Sequence, residues 1–368
     1  MATNQTNVGT SHNLLNYSGL LFNKGARDVP FSTLISGRAR NVNAWSFPTS
    51  IVFNSMAATN AGGLGAASQP AITETGSLTA PDAHLVTRAQ NKNYVQIFQR
   101  KIALSYAKTS SMGQLSGLNL AGVTANPADE LDFQVAANME KIAQDIEYSF
   151  LNGSGQEGTY DDIAYKMQGI IGAVSTNAAD ADGADLGYWM VADTIKNIRT
   201  NGGYGQLILM THPVNILQLN ADAADNGMTI APAGIERNGL RLRVLETPFG
   251  DLPIVSNSFV PEGTALIFDP DVCAPVYLDV PGKGNFFLEE LAKTGAAETY
   301  QLYGQISLDY GAEFRHGKIT NLSTTFTGAK GRKIYGGVTV ESDASNPLNA
   351  LVVNDSESPI PTTTVTGG

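Results

Sequence analysis

The side chains that most often carry catalysis or bind metal ions are few and scattered in this sequence. No two histidines form an HExxH motif or another pair of ligands at close spacing. Cys273 is the only cysteine, which excludes a Cys-based zinc site and an intrachain disulfide framework. We interpret Cys273 as a buried free thiol and the histidines as surface or structural residues. The histidines are His12, His84, His212 and His316.

Two groups of acidic residues could serve acid–base catalysis or bind a metal ion. Asp161 and Asp162 are adjacent, and Asp180, Asp182 and Asp185 form a short acidic run. Neighbouring acidic residues in a loop are more often simply solvated, and Asp185 has a sufficient role as the cap of a following helix. A carboxylate-dependent hydrolase stays a minor hypothesis, which predicts a convergent polar pocket around Asp161 or Asp182.

A glycine-rich stretch, NGSGQEG at residues 152–158, is a further candidate for chemistry. It lacks the Lys and Ser/Thr of a phosphate-binding loop, and it follows a predicted helix instead of preceding one. No GxSxG motif occurs, and no motif around Cys273 indicates a nucleophile. The sequence therefore predicts a helix-ending loop here. It predicts no catalytic residue, no cofactor and no metal site, and hence a protein that is not an enzyme.

The composition favours a chain that contacts other protein copies. Charged residues make up 15% of its 368 residues, against about 25% in a typical globular protein, so uncharged small residues must cover much of the surface. The net charge of −11, without a basic stripe, argues against a protein that grips phosphate backbones but is compatible with a container. No apolar stretch is long enough to span a bilayer, and no secretion signal begins the chain, so we expect a cytoplasmic protein without membrane contact.

One long helix is predicted over residues 129–151. Its apolar residues recur at spacings of three and four, and acidic residues in its first turn complement the helix dipole. Asn152 and Gly153 would end it as an αL cap, giving a length of about 35 Å. The predicted buried face consists of Leu131, Val135, Met139, Ile142, Ile146 and Phe150.

A mixed α/β region follows. We predict a helix at 185–199 that ends at Gly202 and Gly203, a buried strand at 207–210 and a second helix that opens at Pro213. Strands are predicted at 240–245, 252–256, 265–268, 299–310 and 318–325, and a hairpin of IYGGVTV with ALVV near the C-terminus. The buried residues predicted for the first helix are Leu186, Trp189, Met190, Ile195 and Ile198.

The first hundred residues have too few apolar side chains for a compact domain. Residues 1 to about 40 read as an arm that lies across something else. Between Asn41 and Thr87 only Glu74 and Asp82 are charged, and the flanking segments 45–53 and 94–106 are strand-like. These two segments would close a long hairpin, which we expect to project outward and to be ordered by neighbouring subunits.

Three stretches of this chain resemble the major capsid protein family of tailed bacteriophages, whose fold is shared by encapsulin shells. Residues 28–34 (DVPFSTL) resemble the arm motif before the hairpin, residues 91–105 (NKNYVQIFQRKIALS) resemble its returning strand, and residues 145–153 (DIEYSFLNG) resemble the end of the spine helix. The order of segments also matches. The resemblance covers residues from about 15 to 325.

The resemblance implies an α+β fold with the parts of a tailed-bacteriophage capsid subunit. These parts would be an N-terminal arm (1–44), an extended E-loop hairpin (45–104), a P-domain with the spine helix (105–159), an α/β A-domain (160–290) and returning P-domain strands (291–326). A C-terminal extension (327–368) would follow.

The resemblance implies a shell-forming protein that assembles into pentamers and hexamers around a phage genome, without sequence-specific contact to nucleic acid. A separate scaffold, a portal and decoration proteins are the implied partners, assembly would occur in the host cytoplasm, and the protein would reside in the virion capsid. An encapsulin-like nanocompartment shell is the alternative. The predicted assembly contacts are Leu20, Leu21, Phe22, Phe31, Trp45, Phe47, Ile51, Phe53, Leu64, Ile72, Leu78 and Phe98.

Two departures from the family pattern bear on how the shell is made. Some members join subunits by an isopeptide bond from an E-loop lysine, but this chain has no lysine between Lys24 and Lys92. We therefore expect a shell held by non-covalent overlaps of arms and loops. No long charged helical segment precedes the arm, so we do not expect an N-terminal propeptide to be removed during maturation.

Overall fold

A computed structural model describes residues 29–54, 69, 71–80, 87–106, 130–159, 161–225, 231–237, 240–293, 295–326, 333–334, 338–342 and 350–353. Short 3-10 turns occur at Ser36–Arg38 and Glu313–Arg315. The helices are α1 (Pro30–Ile35), α2 (Glu74–Ser77), α3 (Glu130–Asn152), α4 (Ile170–Ala173), α5 (Tyr188–Thr200) and α6 (Pro213–Asp225).

Most described strands belong to two large sheets. The strands are β1 (Arg40–Val42), β2 (Ser46–Asn54), β3 (Thr87–Tyr94), β4 (Gln96–Ser105), β5 (Ala178–Asp180), β6 (Ile208–Thr211), β7 (Ala231–Arg237), β8 (Leu240–Thr247), β9 (Gly250–Ser256), β10 (Ala265–Phe268), β11 (Ala274–Leu278), β12 (Phe286–Leu291), β13 (Ala297–Asp309), β14 (Gly317–Thr320), β15 (Lys333–Ile334), β16 (Val338–Ser342) and β17 (Ala350–Val353).

The five-stranded central sheet is organised around the long strand β13. Along one edge β13 pairs antiparallel with β4, from Ala297 opposite Ser105 to Ile306 opposite Gln96. Along its other edge it pairs with β12 and then with β11, which in turn pairs parallel with the short strand β1. Helix α3, here called the spine helix, contacts β4 and β13. The helix and this sheet share the larger hydrophobic core.

The spine helix follows the prediction along its length, and its predicted apolar face is buried throughout. The predicted αL cap at Gly153 was wrong, because φ of Gly153 is not positive. A Cβ on Gly153 would lie 2.5 Å from the backbone oxygen of Ser149 and 2.6 Å from that of Met167. Glycine is required there by the close approach of two backbones and not by a left-handed turn.

A seven-stranded sheet forms the second layer, with the order β5-β14-β10-β6-β9-β8-β7. It is mixed, since β6 with β9 and β5 with β14 run parallel while the other neighbours are antiparallel. Strands β6 and β10 are completely buried, as expected for the middle of a covered sheet. Residues of α5 and α6 join a second core on this sheet.

Two sequence predictions about α5 were wrong. The helix begins at Tyr188 instead of Asp185, and its first N–H groups are capped from elsewhere, because Oδ2 of Asp222 accepts a hydrogen bond from the backbone N–H of Tyr188 at 2.7 Å. Trp189 is 62% exposed and contacts only the edge of the Tyr188 ring among the aromatic residues described. The other residues predicted to be buried there, Leu186, Met190, Ile195 and Ile198, are buried.

The hairpin predicted from the first hundred residues exists, but with a different second strand. Strand β2 pairs with β3, from Ser46 opposite Tyr94 to Asn54 opposite Thr87, with a bulge near Pro48. The segment 96–105, predicted to return along the hairpin, is β4 of the central sheet instead. Buried Val95 marks the change of partner, and its N–H bonds to the carbonyl of Trp45 at 2.9 Å. Strand β3 of the hairpin therefore leads directly into β4 of the central sheet.

The last described strands form a small separate sheet. Strand β16 pairs with β17, from Thr339 opposite Val353 to Ser342 opposite Ala350, which confirms the predicted C-terminal hairpin. Strand β15 adds a third member. Strand β14 stops at Thr320, earlier than predicted.

Candidate assembly surface

The base of the hairpin is held by the fully buried side chain of Asn93. Its amide nitrogen donates hydrogen bonds to the carbonyl oxygens of Leu308 at 2.7 Å and Gln168 at 3.1 Å. Its amide oxygen accepts from the N–H groups of Gln168 at 2.7 Å and Tyr94 at 2.8 Å. Because these bonds use both amide hydrogens and both lone-pair directions, Asn93 joins the hairpin to β13 and to the chain before α4.

Side chains on the outer surface extend this attachment. The rings of Trp45 and Tyr165 stack with centroids 5.4 Å apart and an interplanar angle of 22°. Lys92 donates to Glu157 at 2.9 Å, and the Tyr94 hydroxyl donates to the same carboxylate at 3.1 Å. The hydrogen bond from Lys92 lowers the pKa of Glu157. Since this ion pair is exposed, it contributes more to orientation than to stability.

A cleft of about 450 Å³ opens beside the hairpin base. Its surface is mostly apolar, and its described lining includes no histidine, serine or cysteine. Asp161 and Asp162 line the cleft but are both exposed, so the cleft does not enclose their carboxylates as the hydrolase hypothesis predicts. Residues that line it include Trp45, Ile97, Asp161, Asp162, Ile163, Tyr165 and Lys166.

Residues 71–80, which lie in the sequence between the two strands of the hairpin, are exposed. They include Ile72, which is 72% exposed, and Leu78, which is 84% exposed. Within this stretch Thr73 caps the short helix α2, because its hydroxyl oxygen accepts from the N–H of Gly76 at 3.1 Å. A small local fold therefore presents two large apolar side chains to the solvent. Their predicted contact with another subunit stays a prediction.

Helix α1 is fixed on the spine helix by a buried carboxylate that the sequence analysis did not identify. Glu147 is fully buried and accepts hydrogen bonds from the N–H groups of Phe31 and Ser32, both at 2.8 Å, and from the Ser32 hydroxyl. Asn257 donates to the same carboxylate at 2.7 Å. Burial raises the pKa of Glu147, and these hydrogen bonds oppose that shift. One side chain thus connects the first described element to two other parts of the subunit.

The sequence does carry a signal for Glu147. It lies four residues after Ala143 and three before Phe150, both of which are buried, so helical geometry places it on the apolar face. A lone carboxylate in such a position must have hydrogen-bond partners, because burying an unpaired charge is very costly.

Three predicted assembly contacts lie in the core of their own subunit, which corrects the prediction. Phe31 is completely buried, with its ring centroid 5.1 Å from that of Phe268 and 6.2 Å from that of Phe150. Phe47 is 3% exposed and Phe98 is 7% exposed. Burial inside the subunit leaves none of these rings free for another copy. The arm was judged too poor in apolar residues to pack, yet its last turns fold onto the spine.

Some of the other predicted contacts lie on described strands and some lie outside the described residues. Trp45 is partly buried against Tyr165. Ile51 and Phe53 lie on β2, opposite Gln90 and Arg88. The predicted contacts that lie outside the described residues are Leu20, Leu21, Phe22 and Leu64.

The described histidines have structural surroundings. His316 is fully buried, its Nδ1 accepts from the N–H of Asp269 at 3.2 Å, and its Nε2 bonds to the carbonyl oxygen of Tyr310 at 2.6 Å. Burial lowers the pKa of His316 to about 4, so the ring is neutral near pH 7. Nδ1 of His212 accepts from the N–H of Val214 at 3.5 Å. His12 and His84 lie outside the described residues.

The acidic run and the thiol also have structural roles. The Asp180 carboxylate accepts from the N–H of Asp182 at 2.9 Å and from the Asn321 amide at 3.0 Å, which fixes the turn after β5. Cys273 is buried as predicted, and burial raises its pKa well above the usual value. In the described part of the chain, no group of three potential metal ligands converges. No described helix is both long and apolar enough to cross a membrane.

Comparison with known protein families identifies the family to which this chain belongs. The model of the family described as SU10 major capsid protein matches residues 3–323, nearly the whole chain. The chain belongs to the SU10 major capsid protein family. It is therefore a shell-forming capsid protein of the bacteriophage type, as the arm, spine and loop motifs predicted. The search of curated proteins found no match for this capsid protein.

Solved structures confirm the fold of the capsid protein. The holo-SrpI encapsulin complex from Synechococcus elongatus PCC 7942 matches with a TM-score of 0.56 and 10% identity over 87% of this chain and 94% of that chain. The capsid asymmetric unit of Cyanophage A-1(L) matches with a TM-score of 0.54 and 12% identity, covering 88% and 97%. Mycobacterium phage Patience matches with a TM-score of 0.51 and 9% identity, covering 85% and 90%. At such low identity these structures show the fold alone, which is the predicted α+β capsid fold.

Proposed function

We propose that this capsid protein builds its shell through non-covalent overlap of the projecting hairpin with neighbouring subunits. The observation that carries this proposal is the exposure of every residue from 71 to 80, with Ile72 and Leu78 on either side of a short capped helix. An assembling subunit can bury such side chains on a partner, and this removes their apolar surface from water. Because no lysine lies between Lys24 and Lys92, the part of the hairpin beyond its base has no lysine amine for an isopeptide bond, and Lys92 at the base is paired with Glu157.

We propose the following division of the subunit. Residues 1–44 are the N-terminal arm, and the E-loop begins at residue 45. It ends at Val95 in place of 104, because β4 pairs with the central sheet. The P-domain combines β4, the spine helix and the strands of the central sheet up to residue 326. The A-domain is the seven-stranded sheet with α5 and α6, within residues 160–290, although β14 joins it from outside that range. Residues 327–368 are the C-terminal extension.

The remaining parts of the proposal concern partners and place. Pentamers and hexamers would form the icosahedral shell in the host cytoplasm, with a separate scaffold, a portal and decoration proteins as further partners. The shell would enclose nucleic acid without reading its sequence, consistent with a net charge of −11. We infer no enzymatic activity, since the acidic residues around Asp161 and Asp180 have structural or apolar surroundings. A nanocompartment is the second candidate, favoured by the encapsulin fold match, and packaged protein without DNA in purified particles would identify it.

A double variant tests the hairpin overlap. Ile72→Asp with Leu78→Asp should leave the subunit folded, because both side chains are exposed, but should abolish particles in negative-stain microscopy and gradient sedimentation. Thr79→Asp is the matched control, since it adds a charge to the same loop without removing an apolar side chain, and it should still assemble. Normal particles from the double variant would refute the overlap. Ladders of linked subunits on a denaturing, reducing gel of wild-type particles would refute its non-covalent nature.

A further inference from the structure

We propose that the cleft at the base of the hairpin holds residues 14–27 of a neighbouring copy of the chain. This inference rests on the proposed assembly through the hairpin and names a second contact that accompanies it. The cleft and the segment are present in every subunit, so one contact repeated around a ring would occupy all clefts.

The cleft combines an apolar floor with an acidic edge. Ile97 and Ile163 line it while remaining 47% and 43% exposed, and the stacked rings of Trp45 and Tyr165 complete the apolar part. Its volume of about 450 Å³ lies in the range of sites that enclose small ligands, about 300–1,000 Å³. The cleft is thus large enough for a few side chains of an extended segment and too small for a folded domain.

The charges of the cleft favour a basic occupant. Asp161 and Asp162 both line it and are exposed, and no ion pair of the described residues includes either of them. Lys166 is the one cation among the lining residues. Two carboxylates and one ammonium leave a net negative edge beside exposed isoleucines.

Residues 14–27, LLNYSGLLFNKGAR, have the complementary pattern. Four leucines, a tyrosine and a phenylalanine are followed by Lys24 and Arg27, the only lysine or arginine residues in the first 27 positions. No aspartate or glutamate occurs before Asp28. The segment can therefore place apolar side chains on the isoleucines and a cation beside each aspartate.

The C-terminal end of this segment is fixed to its own subunit, which leaves the rest of its length to reach a neighbouring one. It leads into Val29, which is 1% exposed, and into α1, which Glu147 fixes on the spine helix. An extended chain reaches about 50 Å from Val29 to Leu14, enough to cross to an adjacent subunit. The cleft lies beside the base of the hairpin, since Trp45, Gln96 and Ile97 line it.

Disulfide trapping between two differently tagged chains tests the contact. One chain carries Phe22→Cys and the other Ile163→Cys, and the buried native Cys273 does not compete. In co-assembled, oxidised particles we expect a disulfide-linked pair that contains both tags. The matched control replaces Ile163→Cys by Tyr204→Cys, since Tyr204 is 78% exposed and does not line the cleft, and it should give at most a trace of linked pair.

Two outcomes would overturn the proposal: no disulfide-linked pair containing both tags, or as much linking with the Tyr204→Cys control as with Ile163→Cys. A charge exchange gives a second measurement if linking alone is ambiguous. Asp161→Lys with Asp162→Lys should slow linking several-fold, and Lys24→Glu with Arg27→Glu on the other chain should restore it. Failure of restoration counts against the contact. Because particle formation is scored on the same samples, intact particles without linking reject this contact and leave the hairpin overlap standing.

Discussion

The backbone N–H of Phe31 donates a 2.8 Å hydrogen bond to the side chain of Glu147, 116 residues further along the chain. Phe31 belongs to the last part of the N-terminal arm and Glu147 to the spine helix. With both residues fully buried, this bond ties α1 to the spine helix inside the subunit. From Val29 onward the chain is therefore fixed to its own subunit.

Glu147→Ala should lower the free energy of unfolding by about 3 kcal/mol or more, because it leaves the buried donors of Phe31, Ser32 and Asn257 without an acceptor. Glu140→Ala, at an exposed position on the same helix, is the control and should change stability far less. Chemical denaturation followed by circular dichroism measures both. Equal stability of the two variants would show that the carboxylate does not fix the arm.

Asn93→Ala should loosen the hairpin while the rest of the subunit stays folded. The change removes four hydrogen bonds at a buried site, with an expected cost of about 2–4 kcal/mol. Hydrogen exchange measured by mass spectrometry should speed up in peptides covering 87–106. Asn91→Ala, on the same strand but only partly buried, should leave that exchange nearly unchanged. Faster exchange in neither variant would contradict the assigned role of Asn93.

Acid should destabilise the subunit through His316. Its pKa is about 4 in the folded chain and 6.5 in the unfolded reference, so between these values the unfolded chain binds more protons. The free energy of unfolding should fall by about 3 kcal/mol as the pH drops from 6.5 to 4. His316→Gln should flatten this pH dependence, whereas His212→Gln should keep it. Unfolding curves at several pH values measure this dependence. If the free energy of unfolding of His316→Gln depends on pH as steeply as that of the wild type, His316 is not its source.

Gly169→Ala should disrupt the chain crossing at the end of the spine helix. The new Cβ would lie 2.5 Å from the backbone nitrogen of Gly153 and 2.6 Å from the carbonyl oxygen of Leu151, and neither backbone atom can move away cheaply. Gly37→Ala is the matched control, because nothing lies within 4 Å of its added Cβ. Thermal melting should separate the two variants by several degrees, and equal melting temperatures would count against the tight crossing.

The spine helix was predictable because one continuous face of apolar residues at helical spacing determines both the element and its buried side. The strand that pairs with β4 was not predictable from the sequence. The alternation of buried and exposed residues in 96–105 is the same whether the strand pairs with β2 or with β13, so sequence placed it in the hairpin by proximity alone. Its true partner lies about 200 residues away and gives no local signal.

The sequence predicted that the hairpin region exposes apolar side chains, but it did not predict correctly which residues these are. Ile72 and Leu78 are exposed as an assembling loop requires, whereas Phe31, Phe47 and Phe98 were absorbed by the subunit's own core. A large aromatic side chain can be buried either in the core of its own subunit or in a contact with another subunit. Only the tertiary packing determines which of the two it enters. Trp189 shows the reverse case, where a ring expected in the core remains on the surface because it lies outside the face that buries Val191, Ile195 and Ile198.

The pairing of β4 with β13 also sets the order of events on the ribosome. Strand β4 ends at Ser105, and the first residue of its partner, Ala297, is synthesised about 190 residues later. At about 5–20 residues per second, β4 waits roughly 10–40 s for its neighbour. The clamp at Asn93 needs Leu308 and is completed later still. A nascent subunit therefore lacks a completely anchored hairpin until Leu308 has been synthesised.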